Sequence, residues 1–468
     1  MQFNLIFMKR GGFKMALLLK NLSKVVTFND KNEILNNVDI LIKNNEIVSI
    51  GKNISVGEKE EIIDCSNLIA LPGFVNTHHH LFQTLFRGIE EVQEKPLFPW
   101  LVGLYEFWKH LTPEAVYYGA LVGFSELLRT GCTTTMDHHY LFPKDKPSTL
   151  IDEQIKAASK IGIRFHATRG SMSLGKSNGG LPPDSVVQAE DVILEDSERL
   201  IKKYHDKSKF SMQRIALAPC SPFSVTRELM IKSRELARKY NVMMHTHLAE
   251  TKDEEKFCIE MYGMRPVELM EDLDWIGSDV WFAHVIHLNE REMKVLKGSG
   301  VAHCPSSNMK LNSGICPTTE LLNSGVKVSI AVDGSASNDG SNMWEEVRRG
   351  YLLNHLKYGT KGLNAYEILK LATRGGAEVL GRSDIGILEE NKAADIVLFD
   401  LNDVAYAGCH DPLVALVTCG NTSLVKMTIV NGKVVVKDGI LLTMNTQDIR
   451  LNAHKIATDI VKYERKHR

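Results

Sequence analysis

The stretch Leu71-Pro72-Gly73-Phe74-Val75-Asn76-Thr77-His78-His79-His80 joins a short apolar run to three histidines in a row. Successive side chains of a β-strand point to opposite faces, so His78 and His80 share one face and His79 takes the other. Two imidazoles at this spacing can bind one metal ion together. Active sites of parallel barrels form at the carboxyl ends of the strands. We therefore predict a barrel strand that ends in a pair of metal ligands.

The same pattern, an apolar run followed by polar residues, recurs along the middle of the chain. Further runs end at Met136-Asp137-His138, His166-Ala167-Thr168-Arg169, Ala218-Pro219-Cys220, His247, His284, Ala302-His303-Cys304 and Ala331-Val332-Asp333. Longer helical stretches separate them, which predicts crossover helices and a parallel sheet. Eight such units over roughly three hundred residues fit a (β/α)8 TIM barrel with insertions. We place this α/β domain at residues 72–385.

Both ends of the chain are rich in predicted strands. Residues 15–71 contain a hairpin pattern around Asn44-Asn45, and residues 386–442 contain Asn431-Gly432 between apolar alternations. Asn-Gly in that setting is a strong hairpin signal. Neither segment has enough strand to bury a core alone, so we predict one small β-sandwich domain built from both ends. Residues 443–468 are predicted as a helical tail.

Four side chains at the predicted strand ends form a candidate metal site: His78, His80, His247 and Asp333. Three imidazoles and a carboxylate, with a position left for water, suit a catalytic Zn²⁺, and Fe²⁺ is an alternative. Glu250 follows His247 by three residues, close to the site but outside the ligand set. His284 ends the sixth predicted strand.

Composition limits the classes of binding partner and indicates the cellular compartment. The chain has 468 residues and a net charge of −1, which argues against nucleic acid or an anionic membrane as a partner. Its eight cysteines are scattered without a CxxC pair, a pattern typical of reduced thiols in a cytoplasm. No apolar run reaches the length of a membrane span. Residues 1–14 are interpreted as an extra leader, with the fold beginning near Met15.

The residues from Pro72 to Gly334 that carry these motifs resemble the amidohydrolase superfamily. Three longer strings resemble the branch of 8-oxoguanine deaminases, to which hydroxytriazine aminohydrolases are close: Phe98-Pro99-Trp100-Leu101, residues 169–175 with 179–184, and residues 218–225. The resemblance implies a metal-dependent deaminase that acts on a small heterocycle and forms a homo-oligomer. Two-metal members carry a lysine at the end of strand four. Residues 215–220 contain none, so one Zn²⁺ per subunit is expected.

The resemblance also implies roles for individual side chains. Asp333 would take the first proton from water, Glu250 would protonate a ring nitrogen, and His284 would orient the water and stabilise the tetrahedral intermediate. Candidate substrate contacts are Gln83, Trp100, Arg169 and Cys220. A surface glutamine, a buried tryptophan and a structural salt bridge are the plainer interpretations of the first three.

Cys220 bears most directly on the substrate. Guanine deaminases carry an Arg-Phe pattern here, whereas Cys220 leaves a smaller and less charged pocket that has room for an oxo group at purine C8. The expected reaction is 8-oxoguanine to urate plus ammonia, a step of purine catabolism. Three alternatives stay open: a hydroxytriazine or pterin aminohydrolase, a triazine chlorohydrolase, and an inactive barrel that serves as a binding module.

Overall fold

The computed structural model describes residues 16–57 and 60–467, so the interpretation of residues 1–14 as a leader lies outside the described residues. The described chain opens with strands that belong to the sheet of the chain ends. They are β1 (Ala16–Val26), β2 (Ile34–Lys43), β3 (Glu46–Gly51), β4 (Glu61–Asp64) and β5 (Leu68–Pro72). The predicted hairpin joins β2 to β3, where Asn44 takes a positive φ of 58°.

The middle of the chain forms a parallel eight-stranded sheet whose strands pair in chain order. The strands are β6 (Phe74–Asn76), β7 (Cys132–His139), β8 (Arg164–Ser171), β9 (Gln213–Pro219), β10 (Met244–Leu248), β11 (Val280–His284), β12 (Gly300–His303) and β13 (Lys327–Ile330). Each predicted strand end falls at or next to the end of one of these strands. The sheet is nearly closed, since the Asp333 N–H donates to the His78 carbonyl at 3.1 Å across the gap between β13 and β6. The predicted (β/α)8 barrel is confirmed.

The helices lie mainly outside the barrel and connect its strands. They are α1 (Leu97–Trp108), α2 (Pro113–Arg129), α3 (Leu150–Ile161), α4 (Glu190–Tyr204), α5 (Arg227–Tyr240), α6 (Lys252–Tyr262), α7 (Pro266–Asp272), α8 (Glu290–Val295), α9 (Pro305–Lys310), α10 (Thr318–Asn323), α11 (Met343–Tyr358), α12 (Ala365–Lys370), α13 (Gly376–Val379), α14 (Pro412–Thr418) and α15 (Thr446–His467). Within the described ranges, no helix is long and apolar enough to cross a bilayer.

The remaining strands return to the sheet of the chain ends. They are β14 (Ile396–Asp400), β15 (Met427–Val430), β16 (Lys433–Lys437) and β17 (Ile440–Leu441). Strand β14 pairs antiparallel with β5, which joins the two ends of the chain. At the β15–β16 turn, Asn431 and Gly432 both take positive φ, as the two-residue hairpin requires. A separate β domain from both chain ends is therefore present, and its described strands are hydrogen-bonded as one sheet.

Side chains alternate between the two faces of this sheet along each strand, so each face packs into a different hydrophobic core. Leu19, Ile40 and Ile396 belong to a core cluster of the sheet itself. Leu71 and Phe399 belong to the cluster that includes the helices around the barrel. The β domain is thus packed onto the barrel by the alternate residues of its strands.

Candidate active site

The predicted metal ligands converge at the carboxyl end of the barrel. His78 and His80 follow β6, His247 lies in β10, and Asp333 follows β13. The Nε2 atoms of His78 and His80 each lie 3.3 Å from Asp333 Oδ1. His80 Nε2 lies 3.2 Å from His247 Nε2. Residues that are far apart in the sequence therefore present their ligand atoms to one small volume.

Hydrogen bonds behind two of the rings aim their Nε2 atoms inward. His80 Nδ1 lies 2.8 Å from the His138 carbonyl, and His247 Nδ1 lies 2.7 Å from the Cys220 carbonyl. A carbonyl oxygen only accepts, so each Nδ1 carries the proton. The lone pair of the neutral ring is then on Nε2, which is how histidine ligands are commonly oriented.

The His245 ring orients the His78 ring in the same way, with Nε2 of His78 pointing inward. His245 Nδ1 donates to the Trp281 carbonyl at 2.9 Å, which leaves His245 Nε2 as an acceptor. His78 Nδ1 lies 2.8 Å from that nitrogen and donates to it. The lone pair of His78 is therefore on Nε2, a fully buried atom without a hydrogen-bond partner among the described residues. A buried nitrogen of this kind needs a ligand, and a divalent cation satisfies it.

The charge states of these groups also fit a cation. Burial lowers the pKa of His247 to about 3 and that of His78 well below its usual value, so both rings are neutral at neutral pH. Burial alone would raise the pKa of Asp333, but its close contacts with the His78 and His80 rings hold it well below its usual range. Neutral imidazoles and an ionised carboxylate are the forms that bind metal. The cluster is able to hold a metal ion.

Glu250 and His284 lie side by side at the edge of this cluster. His284 Nε2 is 3.6 Å from Glu250 Oε2 and 3.8 Å from Asp333 Oδ2. Glu250 Oε1 accepts a hydrogen bond from Ser313 Oγ at 3.2 Å. Burial raises the pKa of Glu250. Ser313 was not among the predicted site residues, and no motif in its sequence neighbourhood points to it.

A cavity opens above the cluster. Gln83, Trp100 and Cys220, the predicted substrate contacts, lie in its lining. The other lining residues are His80, Leu97, Leu101, Tyr105, Tyr140, Phe223, His247, Glu250, His284, Leu311, Asp333 and Ser337. Leucines and aromatic rings thus form about half of the lining, beside the polar groups of the candidate metal site, a combination that suits a flat heterocycle.

Three wall residues offer different chemistry. Gln83 Oε1 accepts from the Ala336 N–H at 3.3 Å. Trp100 is buried, and its Nε1 has no hydrogen-bond partner among the described residues. Burial raises the pKa of the Cys220 thiol to about 12, so this position is neutral at physiological pH. The wall can therefore meet a ligand with an amide, an indole N–H and a small uncharged thiol.

Arg169 lies outside this cavity. Its guanidinium is buried against Asp196, with Nε 2.5 Å from Oδ2, and donates to Gln188 Oε1 at 2.8 Å. It also stacks over the Phe142 ring at 3.8 Å. These contacts fit the plainer interpretation of Arg169, a structural salt bridge between β8 and α4.

Comparison with known proteins bears on the identity of this site. The model of the family described as "Amidohydrolase family" matches residues 69–435, which includes the barrel and every predicted metal ligand.

The chain belongs to the amidohydrolase family.

Two curated relatives and one solved structure illustrate where this amidohydrolase stands. It is 51% identical to 8-oxoguanine deaminase from Pseudomonas aeruginosa over 76% of this chain and 80% of that one. It is 36% identical to hydroxydechloroatrazine ethylaminohydrolase from Pseudomonas sp. strain ADP, over 89% and 90% of the two chains. Atrazine chlorohydrolase from Arthrobacter aurescens TC1, complexed with zinc, superposes with a TM-score of 0.90 at 34% identity and covers 94% of this chain and 100% of its own.

These relatives establish the type of enzyme. This amidohydrolase is a hydrolytic deaminase of the superfamily, and so a hydrolase that acts on carbon–nitrogen bonds. The sequence-based resemblance to the family and the predicted enzyme class are both confirmed.

Proposed function

We propose that this amidohydrolase binds one Zn²⁺ per subunit through His78, His80, His247 and Asp333 and deaminates 8-oxoguanine to urate and ammonia. The observation that carries the proposal is the buried Nε2 of His78, which has no hydrogen-bond partner among the described residues and lies beside the ionised Asp333 in the lining of the cavity. The similarity to an 8-oxoguanine deaminase at 51% identity supports the substrate. Fe²⁺ would suit the same ligands.

A bound divalent cation supplies Lewis-acid chemistry that makes water nucleophilic at neutral pH. Asp333, held ionised, accepts a proton from the attacking water. Glu250, whose pKa is raised by burial, holds a proton for the ring nitrogen next to the reacting carbon. His284, once protonated on both ring nitrogens, donates from Nε2 to the developing oxyanion. Water thus adds to the amino-bearing carbon. Asp333 then passes its proton to the amino group, the hydroxyl proton goes to Glu250, and the C–N bond breaks with release of ammonia.

The cavity walls favour a planar heterocycle without a large substituent. Aromatic and aliphatic side chains cover the faces of a planar ring, and Gln83 offers an amide to a lactam edge. Cys220 adds a small neutral surface, which leaves room for an oxo substituent at C8. Trp100 offers its unpartnered indole N–H to such an oxygen.

A triazine or pterin aminohydrolase, or a triazine chlorohydrolase, is the second candidate. The similarity to the ethylaminohydrolase and to the chlorohydrolase favours it. A neutral, apolar cavity would accept a substituted triazine as well as a purine. Substrate profiling then decides between the two candidates.

The test is release of ammonia from 8-oxoguanine, guanine and isoxanthopterin, and of ethylamine from hydroxyatrazine, by the zinc-loaded protein. We expect fast release from 8-oxoguanine and slow release from guanine. Glu250→Gln should keep its zinc and lose roughly 10²–10⁴-fold in kcat. Release from the triazine alone would replace the proposed substrate, and near-normal turnover by Glu250→Gln would remove Glu250 from the mechanism.

Two finer points are part of the same proposal. Metal analysis of the purified protein should find one zinc per chain, and iron in its place would change the cofactor but not the ligand set. Light scattering should find a homo-oligomer, which we expect to be cytoplasmic and to bind no nucleic acid.

A further inference from the structure

Glu254 is a buried carboxylate whose two oxygens are both committed to backbone groups. Its side chain is fully buried in the first turn of α6. Oε1 accepts from the Ala249 N–H and Oε2 accepts from the Glu250 N–H, each at 2.8 Å. One carboxylate thereby binds two successive peptide groups of the loop that follows β10.

That loop needs such a contact because its backbone is strained. Ala249 has a φ of 50°, a left-handed conformation that side chains other than glycine rarely adopt. The positive φ at Ala249 turns the chain away from the strand direction and places Glu250 beside the predicted metal ligands. On the opposite side, the Ala249 carbonyl accepts from the Ile286 and His287 N–H groups at 2.9 and 3.0 Å. The peptide groups around Ala249 are thus bound on both sides, and Glu254 provides the bonds on one of them.

The Glu250 side chain depends on this backbone for its aim. It receives one hydrogen bond, from Ser313 Oγ at 3.2 Å, and stands 3.6 Å from His284 Nε2. A carboxylate with contacts this long is located chiefly by where its own Cα lies. Catalytic geometry tolerates little displacement, since a shift of about 1 Å can cost a hundredfold in rate.

We infer that Glu254 is a positioning residue for the reaction, which acts by holding the N–H groups of Ala249 and Glu250 so that the Glu250 carboxylate faces the substrate. This inference rests on the proposed function, because it assigns Glu254 a role only through Glu250. Glu254 itself touches neither the cavity nor the metal ligands.

The test compares Glu254→Gln with Asp253→Asn. The glutamine keeps the shape of Glu254 but can accept only one of the two hydrogen bonds, because its amide nitrogen is a donor. Asp253 is an exposed residue of the same helical turn, so Asp253→Asn removes the same charge from the helix N-terminus without touching the loop. Assays are run above the pKa of Glu254, which burial raises to about 7.

We expect Glu254→Gln to lose roughly 10–100-fold in kcat, with its KM and zinc content unchanged and with Asp253→Asn at the wild-type rate. Adding Glu254→Gln to Glu250→Gln should change kcat by less than about twofold, because both substitutions then act on one group. A wild-type kcat in Glu254→Gln, or an undiminished loss in the Glu250→Gln background, would overturn the inference. If Glu254→Gln does not fold, Glu254→Asp withdraws the same carboxylate and is judged by the same outcomes.

Hydrogen exchange separates this inference from the proposed function. The amides of Ala249 and Glu250 should exchange faster in Glu254→Gln than in wild type, and at the wild-type rate in Asp253→Asn. Unchanged exchange at both amides would overturn the inference whatever the substrate. If the proposed function fails, the wild-type protein releases no ammonia. Hydrogen exchange then tests by itself whether Glu254 holds the N–H groups of Ala249 and Glu250.

Discussion

Asn308 lies directly behind His284, with its Oδ1 2.9 Å from His284 Nδ1. An amide oxygen only accepts, so this contact keeps a proton on Nδ1 and directs Nε2 toward Glu250 and Asp333. Burial alone would lower the pKa of His284, but the charges of Glu250 and Asp333 outweigh it and raise the pKa. Asn308 thus determines which nitrogen of His284 faces the reaction.

Replacing Asn308 with alanine should therefore disturb the reaction more than the fold. We expect Asn308→Ala to lower kcat roughly 10–100-fold, because the His284 ring is then free to rotate and to change tautomer. Metal content and KM should stay near wild type. Met309, the next residue of α9 and 46% exposed, gives the control, and Met309→Ala should be silent. Steady-state kinetics and zinc analysis check both, and a normal kcat in Asn308→Ala would show that His284 is oriented by something else.

Gly334 makes room for Gln83. A Cβ added at Gly334 would lie 2.0 Å from Gln83 Oε1, whereas one added at Gly340 in the same loop meets its nearest atom at 3.8 Å. Gly334→Ala must therefore push the Gln83 amide aside. We expect KM to rise about tenfold, as for the loss of one or two polar contacts, with zinc retained.

The matched controls for this prediction are Gly340→Ala and Gln83→Ala. Gly340→Ala should behave as wild type. Gln83→Ala should raise KM by a similar factor, and adding Gly334→Ala to it should cost little more. Additive losses would mean that Gly334→Ala acts on Asp333 rather than on Gln83.

Cys220 should determine which purine is preferred. An arginine at this position would introduce a longer, charged side chain into the cavity that Cys220 lines. We expect Cys220→Arg to lower kcat/KM for 8-oxoguanine at least about a hundredfold, because overpacking and an unpaired charge are both costly, and to lower it less for guanine. Cys258 is buried away from the cavity, so Cys258→Ser controls for loss of a buried thiol. An unchanged ratio of the two substrates would separate Cys220 from specificity.

Asp137 should make stability depend on pH. Burial raises its pKa from 3.8 to about 7, so between these values the folded protein binds more protons than the unfolded chain. The free energy of unfolding then falls as pH rises through this window, by up to about 1.4 kcal/mol per pH unit for this group. Asp137→Asn should flatten that slope in urea titrations at several pH values.

The asparagine should also be tolerated at this site. Asp137 accepts from the Leu81 N–H and from Gln154 Nε2, and Gln154 Oε1 is buried without a partner among the described residues. Turning over the Gln154 amide lets its Oε1 accept from the new side chain. A steeper slope in Asp137→Asn than in wild type would mean that Asp137 does not bind the extra proton of the folded state.

Local patterns in the sequence were enough to predict the strands and their ends. The two-residue spacing of His78 and His80 is a property of any strand, and Asn431-Gly432 needs only its neighbours to form a turn. The ligand set could be assembled because a barrel brings all strand ends to one edge. The bounds of the four predicted segments, residues 15–71, 72–385, 386–442 and 443–468, stay predictions.

Contacts between distant parts of the chain could not be read from the sequence. His245 binds His78 from 167 positions away, and Asn308 and Ser313 lie in a connection without a motif. The direction of the Arg169 side chain could not be predicted because it depends on which face of β8 each alternate residue takes. Arg169 shares a face of β8 with Phe165 and Ala167, which pack against the helices, so its side chain leaves the barrel on the outside. A shift of one residue would have pointed it inward.

The pairing of β5 with β14 has a consequence for how the protein is made. All five residues of β5 are buried, yet the partner strand begins at Ile396, more than three hundred positions later. Strand β5 therefore leaves the ribosome long before β14 has been made. Its apolar edge toward β14 stays unpaired while the whole barrel is synthesised. Such edges recruit chaperones or aggregate. The fold that unites both ends of the chain thus makes the nascent protein most vulnerable until translation is nearly complete.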